Sequence, residues 1–329
     1  MIKFGSYKVQ FVFLLLLGIG LIWYTLSKIT FADLLGQLKT GHYWIAFPIG
    51  LISIAGYYFR SARMKILLRK MGESCRIQSL MASLCMGYTI SFAIPRLGDL
   101  TRALTVRKTD GVKVDFALIS IITERFFDML VLILLVLVSL FIHGTMLVNL
   151  WKQNNLSPLF SASTSRILWM MGIVVLLLFI SLLLLRKNDW LRMLWNRYQP
   201  AFRGVLTVVG SGRFWLFTFG IWTCYFLMTY LWFYLFDEIK HLTVMDAFLV
   251  MLAGTFGRSI PVQGGGMGVY HVLVSSVLVM LGINLVTGNA LAFVIHGAQA
   301  IITFLAGLWA YIWMLTDLRK TVKPAPEQN

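Results

Sequence analysis

The sequence predicts an all-α, polytopic membrane protein built as an inverted structural repeat. Apolar residues make up 59% of the 329-residue chain, and charged residues only 13%. Several apolar runs reach about 18 residues or more, enough to cross roughly 30 Å of hydrocarbon. Two further apolar segments, one in each half of the chain, are broken by a proline followed closely by glycine. These three observations carry the fold prediction.

The net charge of the chain is +16, from 29 basic and 13 acidic residues. In a soluble protein this excess would suggest nucleic acid as a partner. In a membrane protein it is better explained by the Lys and Arg of cytoplasmic loops, which meet anionic lipid. We therefore expect no nucleic-acid partner. The three cysteines show no metal or disulfide spacing, and we expect neither a metal site nor a cofactor.

Apolar runs predict six membrane spans, at about 9–27, 43–59, 116–142, 167–185, 214–236 and 287–315. An uncleaved first span is preferred to a signal peptide, because no small-residue cleavage site follows it. The basic cluster Arg60, Arg63, Lys65, Arg69, Lys70 and Arg76 belongs in the cytoplasm, as do the basic residues of 186–213. The number of crossings then places both termini in the cytoplasm, and the protein in the cytoplasmic (inner) membrane.

Segment 79–115 is predicted to be re-entrant, entering the membrane from the cytoplasm and returning to it. A full crossing there would place two basic loops outside the cell, whereas Lys and Arg are enriched in cytoplasmic loops. Non-helical backbone at membrane depth is tolerated only where protein or water satisfies its polar groups, so the break at Pro95 and Gly98 implies a cavity. Residues 246–283 repeat the pattern around Pro261, and this element should open from the outside.

The two breaks share a short motif, since Ile94-Pro95-x-x-Gly98 recurs as Ile260-Pro261-x-x-Gly264. Around each, the order is two spans, a broken element and one span. Three crossings per half invert the second half relative to the first, an arrangement typical of alternating-access transporters. The alternative is that both breaks are simple kinks. We predict one transmembrane domain over 1–317, with halves of about 1–145 and 165–317, and a disordered cytoplasmic tail over 318–329.

Ionisable residues at membrane depth are costly, and they mark a candidate functional site. Here arginines flank both breaks, and a charged run lies inside the third predicted span. Arginine offers a planar fork that suits phosphate oxygens. The predicted substrate-binding residues are Arg96, Asp99, Arg102, Glu124, Arg125, Asp128, Arg258, Gly264, Gly265, Gly266 and His271. No catalytic and no metal-binding residue is predicted.

Parts of this site have a second interpretation. Arg125 either contacts a lipid headgroup or pairs with Asp99, Glu124 or Asp128, the last of which shares its helix face at a spacing of three. The glycine run either presents N–H groups to an anion or allows close helix packing. His271 either packs in the interior or carries a proton.

The motifs of both halves resemble a known family. Pro95–Arg102, Glu124-Arg125-x-x-Asp128 and Pro261–Val269 resemble the lysylphosphatidylglycerol synthase transmembrane region family, over nearly the whole chain. Two positions depart from the family pattern, because Asp99 and His271 each replace a glutamate. The resemblance implies a flippase-like fold and translocation of a phospholipid or another lipid-linked molecule between leaflets. Some members carry a fused aminoacyl-transfer domain that makes the lipid, and we expect this chain to lack it.

Three functions follow from these features. The first is a lipid transporter or flippase, with phosphate-bearing membrane lipids as its partners. The second is a lipid-modifying enzyme with Glu124, Asp128 and His271 as acid and base groups. No Asp-x-x-Asp pair or metal-spaced histidine set accompanies them, and we expect the chain not to be an enzyme. The third is a scaffold for an envelope lipid synthesis complex. Association with itself or with lipid or glycolipid synthesis enzymes is compatible with the sequence.

Overall fold

The computed structural model describes residues 4–95, 97–153, 207–260 and 262–321, which form helices joined by short turns. No strand occurs in these ranges, in agreement with the all-α prediction. Arg96, Pro261 and the predicted fourth span at 167–185 lie outside the described residues, and what was predicted for them stays a prediction.

The helices begin and end close to the predicted segments. In chain order they are α1 (Phe4–Leu26), α2 (Phe31–Lys39), α3 (Ala46–Lys70), α4 (Ile77–Ala93), α5 (Leu97–Asp110), α6 (Val114–Gln153), α7 (Gly212–Trp232), α8 (Val244–Ser259), α9 (Val269–Met280) and α10 (Leu285–Thr321). Local chemistry fixes some of these starts. Thr243 and Asp246 form a capping box that satisfies free N–H groups at the start of α8.

Three of the described helices are long and apolar enough to cross a membrane, namely α3 with the turn before it, α7 and α10. The count is four if α1 and α2, which meet at 82°, form one bent span. Helix α6, the predicted third span, has 40 residues and carries its charged run in its first half. These helices make the chain a membrane protein with several spans.

Helices α4 and α5 form a first hairpin around the break at Pro95. The backbone N–H and the Nε of Arg76, which precedes α4, both donate to the carboxylate of Asp110 at the end of α5, at 2.8 Å. The two helices approach closely through Gly87 and Gly98. A Cβ placed on Gly98 would lie 1.9 Å from a serine hydroxyl and 2.1 Å from the Gly87 carbonyl oxygen. Both ends of this hairpin therefore lie at the same end of the bundle.

Helices α8 and α9 form a second hairpin, joined by residues 263–268, which we call the glycine turn. Gly264 and Gly265 in this turn have φ of +68°, a left-handed conformation that glycine adopts without strain. Leu278, near the end of α9, shares an apolar cluster with Ala247 at the start of α8. The chain thus reverses at the turn, and the start of α8 and the end of α9 lie at the same end of the bundle.

The two hairpins open towards opposite ends of α10, a helix of 37 residues and about 55 Å. Near its C-terminal end, Asp317 accepts two hydrogen bonds of 2.7 Å from Arg76 at the base of the first hairpin. Near its N-terminal end, Gly288 packs against Leu278 at the base of the second hairpin. The broken tips meet between these ends, because the ring of Phe92 lies 3.3 Å from a Cβ built on Gly265.

Three helix ends differ from the sequence prediction. Helix α6 continues to Gln153, whereas the predicted third span ended at about 142. The predicted second span ended at 59, but α3 continues to Lys70, so Arg60 and Arg63 belong to this helix and not to a segment that follows it. Both lie in the bundle interior because a carboxylate of α6 pairs with them there. Helix α10 continues to Thr321, so the predicted tail over 318–329 begins as helix, and its remainder lies outside the described residues.

Gly98→Ala should destabilise the first hairpin, because the added methyl group has no space between α4 and α5. We expect a loss of about 1–3 kcal/mol, the usual cost of overpacking. Thermal unfolding of the purified protein in detergent measures it.

Gly50→Ala in α3 is the matched control, because a Cβ there meets no atom within 4 Å. It should leave stability unchanged or raise it by up to about 1 kcal/mol. Equal unfolding midpoints for the two variants would contradict the close approach of α4 and α5.

Candidate functional site

Asp128 on α6 lies between two arginines of α3. Its Oδ2 accepts from Arg60 Nη2 at 2.6 Å, and its Oδ1 accepts from Arg63 Nη1 at 2.7 Å. The Arg63 side chain is 0% exposed, and Thr218 Oγ1 on α7 accepts a further bond from it at 3.3 Å. Because a buried guanidinium without a counter-charge is costly, Asp128 fixes α6 against α3.

A second buried pair joins α5 to α6. Arg102 Nη2 donates to Glu124 Oε2 at 2.9 Å, and both side chains are almost fully buried. The other carboxylate oxygen of Glu124 has no hydrogen-bond partner among the described residues. Two residues predicted to bind substrate are thus held in a fixed structural pair.

The third pair, between Arg125 and Asp99, is the accessible one. Arg125 donates from Nε and Nη2 to the two carboxylate oxygens of Asp99, at 3.1 and 2.6 Å. The side chains are 64% and 31% exposed. Of the three carboxylates considered as partners of Arg125, Asp99 is therefore the one observed. An incoming anion can reach this guanidinium without disturbing the buried pairs.

Arg258, near the end of α8, differs from these arginines in its partners. It donates to the side-chain oxygen of Gln299 on α10 and, at 3.3 Å, to the Gly254 carbonyl oxygen. Its guanidinium carbon lies 5.0 Å from the ring centre of Tyr270. No described carboxylate lies within 4 Å of it to form a salt bridge. Arg258 is thus an exposed cation held by neutral groups.

A cleft runs from Arg258 between α3, α7, α8 and α10. Its polar lining comes from Ser53, Tyr225, Thr229, Thr255, Arg258 and Gln299, and its apolar lining from Ile49, Met228, Trp232, Met251, Ile295, Ala298 and Ile302. Tyr225 connects the cleft to the ion pairs of α3, because its hydroxyl accepts from Arg60 Nη1 at 2.8 Å. The cleft therefore presents one guanidinium, one amide and four hydroxyl groups to a ligand.

His271 and His296 hold the glycine turn from its two ends. His271 Nδ1 accepts from the Gly268 N–H at 3.2 Å, and His296 Nε2 lies 2.7 Å from the Gly264 carbonyl oxygen. Since a carbonyl oxygen only accepts, His296 carries its proton on Nε2. The two imidazole rings stack at 4.8 Å with 17° between their planes. This arrangement gives His271 the packing role, and proton transfer by it stays a hypothesis.

The glycines of the turn allow several chain segments to approach closely. A Cβ on Gly266 would lie 2.5 Å from the Gly257 carbonyl oxygen, and one on Gly268 would lie 2.6 Å from that of Gly18. The N–H of Gly266 already donates within the turn, to the Val262 carbonyl oxygen. The geometry thus supports the packing interpretation, while anion binding by Gly264, Gly265 and Gly266 stays a prediction.

The structure brings the predicted side chains into two groups. Asp99, Arg102, Glu124, Arg125 and Asp128 lie together around α6. Arg258 and His271 lie in the second hairpin, and Arg96 is outside the described residues. Sequence reasoning missed Arg60, Arg63, Tyr88 and Tyr225. A signal existed for the first two, because a carboxylate inside a span needs a cation at similar depth.

Among the described side chains of the site, positive charge exceeds negative charge by two. Four guanidinium groups (Arg60, Arg63, Arg102 and Arg125) share three carboxylates (Asp99, Glu124 and Asp128), and Arg258 adds a fifth guanidinium with neutral partners. Among the described residues no group of three or more His, Cys, Asp or Glu side chains could hold a metal ion. The arginine and hydroxyl groups in this part of the chain are suited to recognise an anion.

Asp128→Asn and Asp99→Asn form a matched pair, because each removes one carboxylate charge. Asp128→Asn should cost about 3–5 kcal/mol of stability, since it leaves two buried arginines without a counter-charge. Asp99→Asn should cost about 1 kcal/mol or less, because its ion pair is exposed. Thermal unfolding of the two variants measures the difference, and equal losses would contradict the assigned pairing.

Comparison with known proteins agrees with these features. No curated protein and no solved structure matches the chain. The sequence model of the family described as "Lysylphosphatidylglycerol synthase TM region" matches residues 11–307, which is most of the chain. Its description indicates a lipid-related function in a membrane. The chain therefore belongs to the lysylphosphatidylglycerol synthase transmembrane region family.

Proposed function

We propose that this chain is a lipid transporter of the flippase type, which moves a phospholipid or another lipid-linked molecule between the two leaflets. The observation that carries the proposal is the pair of broken hairpins. They open towards opposite ends of α10, their tips are in contact, and arginines lie beside both of them.

The lengths of the broken helices support re-entrance from opposite sides. Helix α4 has 17 residues and α8 has 16, so each is about 25 Å long and shorter than the roughly 30 Å hydrocarbon core. Their breaks therefore fall inside the membrane, where irregular backbone is tolerated only beside protein or a cavity. We propose that the halves form an inverted repeat around these breaks, as in alternating-access transporters.

The charges support a phosphate-bearing headgroup as the transported anion. An anion that enters this site meets an excess of two positive charges. Arg258 has no described carboxylate to displace. At Arg125 a phosphate would replace the Asp99 carboxylate, which is exposed enough to be solvated once released. Binding at either arginine thus leaves no buried charge unpaired.

Leaflet exchange in proteoliposomes tests the proposal. Fluorescent phosphatidylglycerol should exchange faster than in protein-free liposomes and should be recovered chemically unchanged, since we propose transport without conversion. Exchange equal to that of empty liposomes, for both anionic and zwitterionic headgroups, would contradict the proposal.

Arg258→Gln should lower the exchange rate about tenfold or more, the usual effect of losing one hydrogen bond to a charged group. Lys240→Gln is the matched control, because it also removes one positive charge but lies in an exposed turn paired with Asp237. Equal rates for the two variants would show that Arg258 does not contact the transported lipid.

A further inference from the structure

One nitrogen atom of Arg60 holds two tyrosine hydroxyl groups beside each other. Arg60 Nη1 donates to Tyr88 Oη on α4 at 2.7 Å and to Tyr225 Oη on α7 at 2.8 Å. Because both distances are measured from the same atom, the phenol oxygens are close neighbours. Arg60 Nη2 meanwhile pairs with Asp128, a carboxylate that Arg60 shares with Arg63.

The hydrogen atoms of these phenols have no acceptor among the described residues. A tyrosine hydroxyl has one hydrogen to donate in addition to its acceptor capacity. Since each oxygen accepts from Arg60, each hydrogen must point to another group. The only described hydrogen-bond partner of Tyr88 Oη and of Tyr225 Oη is Arg60. The pair therefore presents hydroxyl hydrogens that are available to donate to the oxygens of a ligand.

The cleft that Tyr225 lines also contains a third donor group, the guanidinium of Arg258. Tyr225 and Arg258 line the same cleft. A guanidinium has five N–H groups, and the described acceptors of Arg258 are only the Gly254 carbonyl and the Gln299 amide oxygen. Tyr88 belongs to the first hairpin and Arg258 to the second. A ligand that satisfies all three side chains therefore contacts both hairpins at once.

We propose that the hydroxyl groups of Tyr88 and Tyr225, together with Arg258, form an oxyanion subsite that takes the oxygens of one phosphate group. Arg60 is the positioning residue of this subsite, because it holds both phenol oxygens while it is itself paired with Asp128. The subsite provides hydrogen-bond donors and positive charge, so it favours a phosphate over an amine. That the phosphate belongs to a lipid rests on the proposed function, whereas free phosphate has the same chemistry.

Binding by the purified full-length protein tests the subsite without requiring transport. The probes are dioctanoyl phosphatidylglycerol and inorganic phosphate, titrated calorimetrically against Tyr88→Phe, Tyr225→Phe and the double variant. Each single variant keeps its ring and should bind the lipid about tenfold more weakly, through the loss of one hydrogen bond to a charged group. Tyr58→Phe is the matched control, since Tyr58 on α3 is 46% exposed and should bind as the wild type does.

The two probes separate the sources of the phosphate. Competition by inorganic phosphate supports recognition of the phosphate group alone, whereas lipid binding without such competition supports recognition of a lipid phosphate.

The subsite is overturned if both phenylalanine variants melt like Tyr58→Phe and bind the lipid as tightly as the wild type. The subsite is also overturned if the wild type binds neither the lipid nor inorganic phosphate. Lipid binding that depends on the tyrosines without leaflet exchange would contradict the proposed function and leave the subsite standing.

Discussion

Asp128 provides one carboxylate for two buried arginines, and the positions of four helices depend on that arrangement. An isolated charge in an apolar interior costs several kcal/mol, so α6 must place Asp128 at the depth of Arg60 and Arg63 on α3. The remaining donors of Arg60 then reach Tyr88 on α4 and Tyr225 on α7. Charge pairing thus organises the half of the bundle that contains the first hairpin. Apolar surfaces alone would not fix how far each helix is shifted along its neighbours.

Backbone geometry organises the other half. The glycine turn allows α8 and α9 to reverse, and its imidazole partners His271 and His296 fix the reversal. Its contact with Phe92 brings the turn to the tip of the first hairpin. The two tips carry different polar groups. The first hairpin contributes a phenol hydroxyl and Asp99, which forms an exposed ion pair with Arg125 of α6, and the second contributes a guanidinium without a described counter-ion.

The sequence was informative where structure is determined locally. Proline and glycine act on their own neighbours, so the ends of α4 at Ala93 and α8 at Ser259 agree with the predicted breaks. Partners distant in the chain were not predictable. Three carboxylates were equally available to Arg125, and only the packing of α5 on α6 selects Asp99. Arg60 was assigned to the basic cluster after the second span because it follows an apolar run, whereas its partner Asp128, 68 residues later, holds it in the bundle interior.

If the two hairpins open on opposite sides of the membrane, cysteines introduced near their bases should be labelled from opposite sides. Cys75, Cys85 and Cys224 are all buried, so a membrane-impermeant maleimide should report Lys108→Cys beside the first hairpin and His241→Cys beside the second. We expect reagent outside intact cells to label only the cysteine at 241, and reagent applied to inverted vesicles to label only the one at 108. Labelling of both positions from the same side would contradict the account.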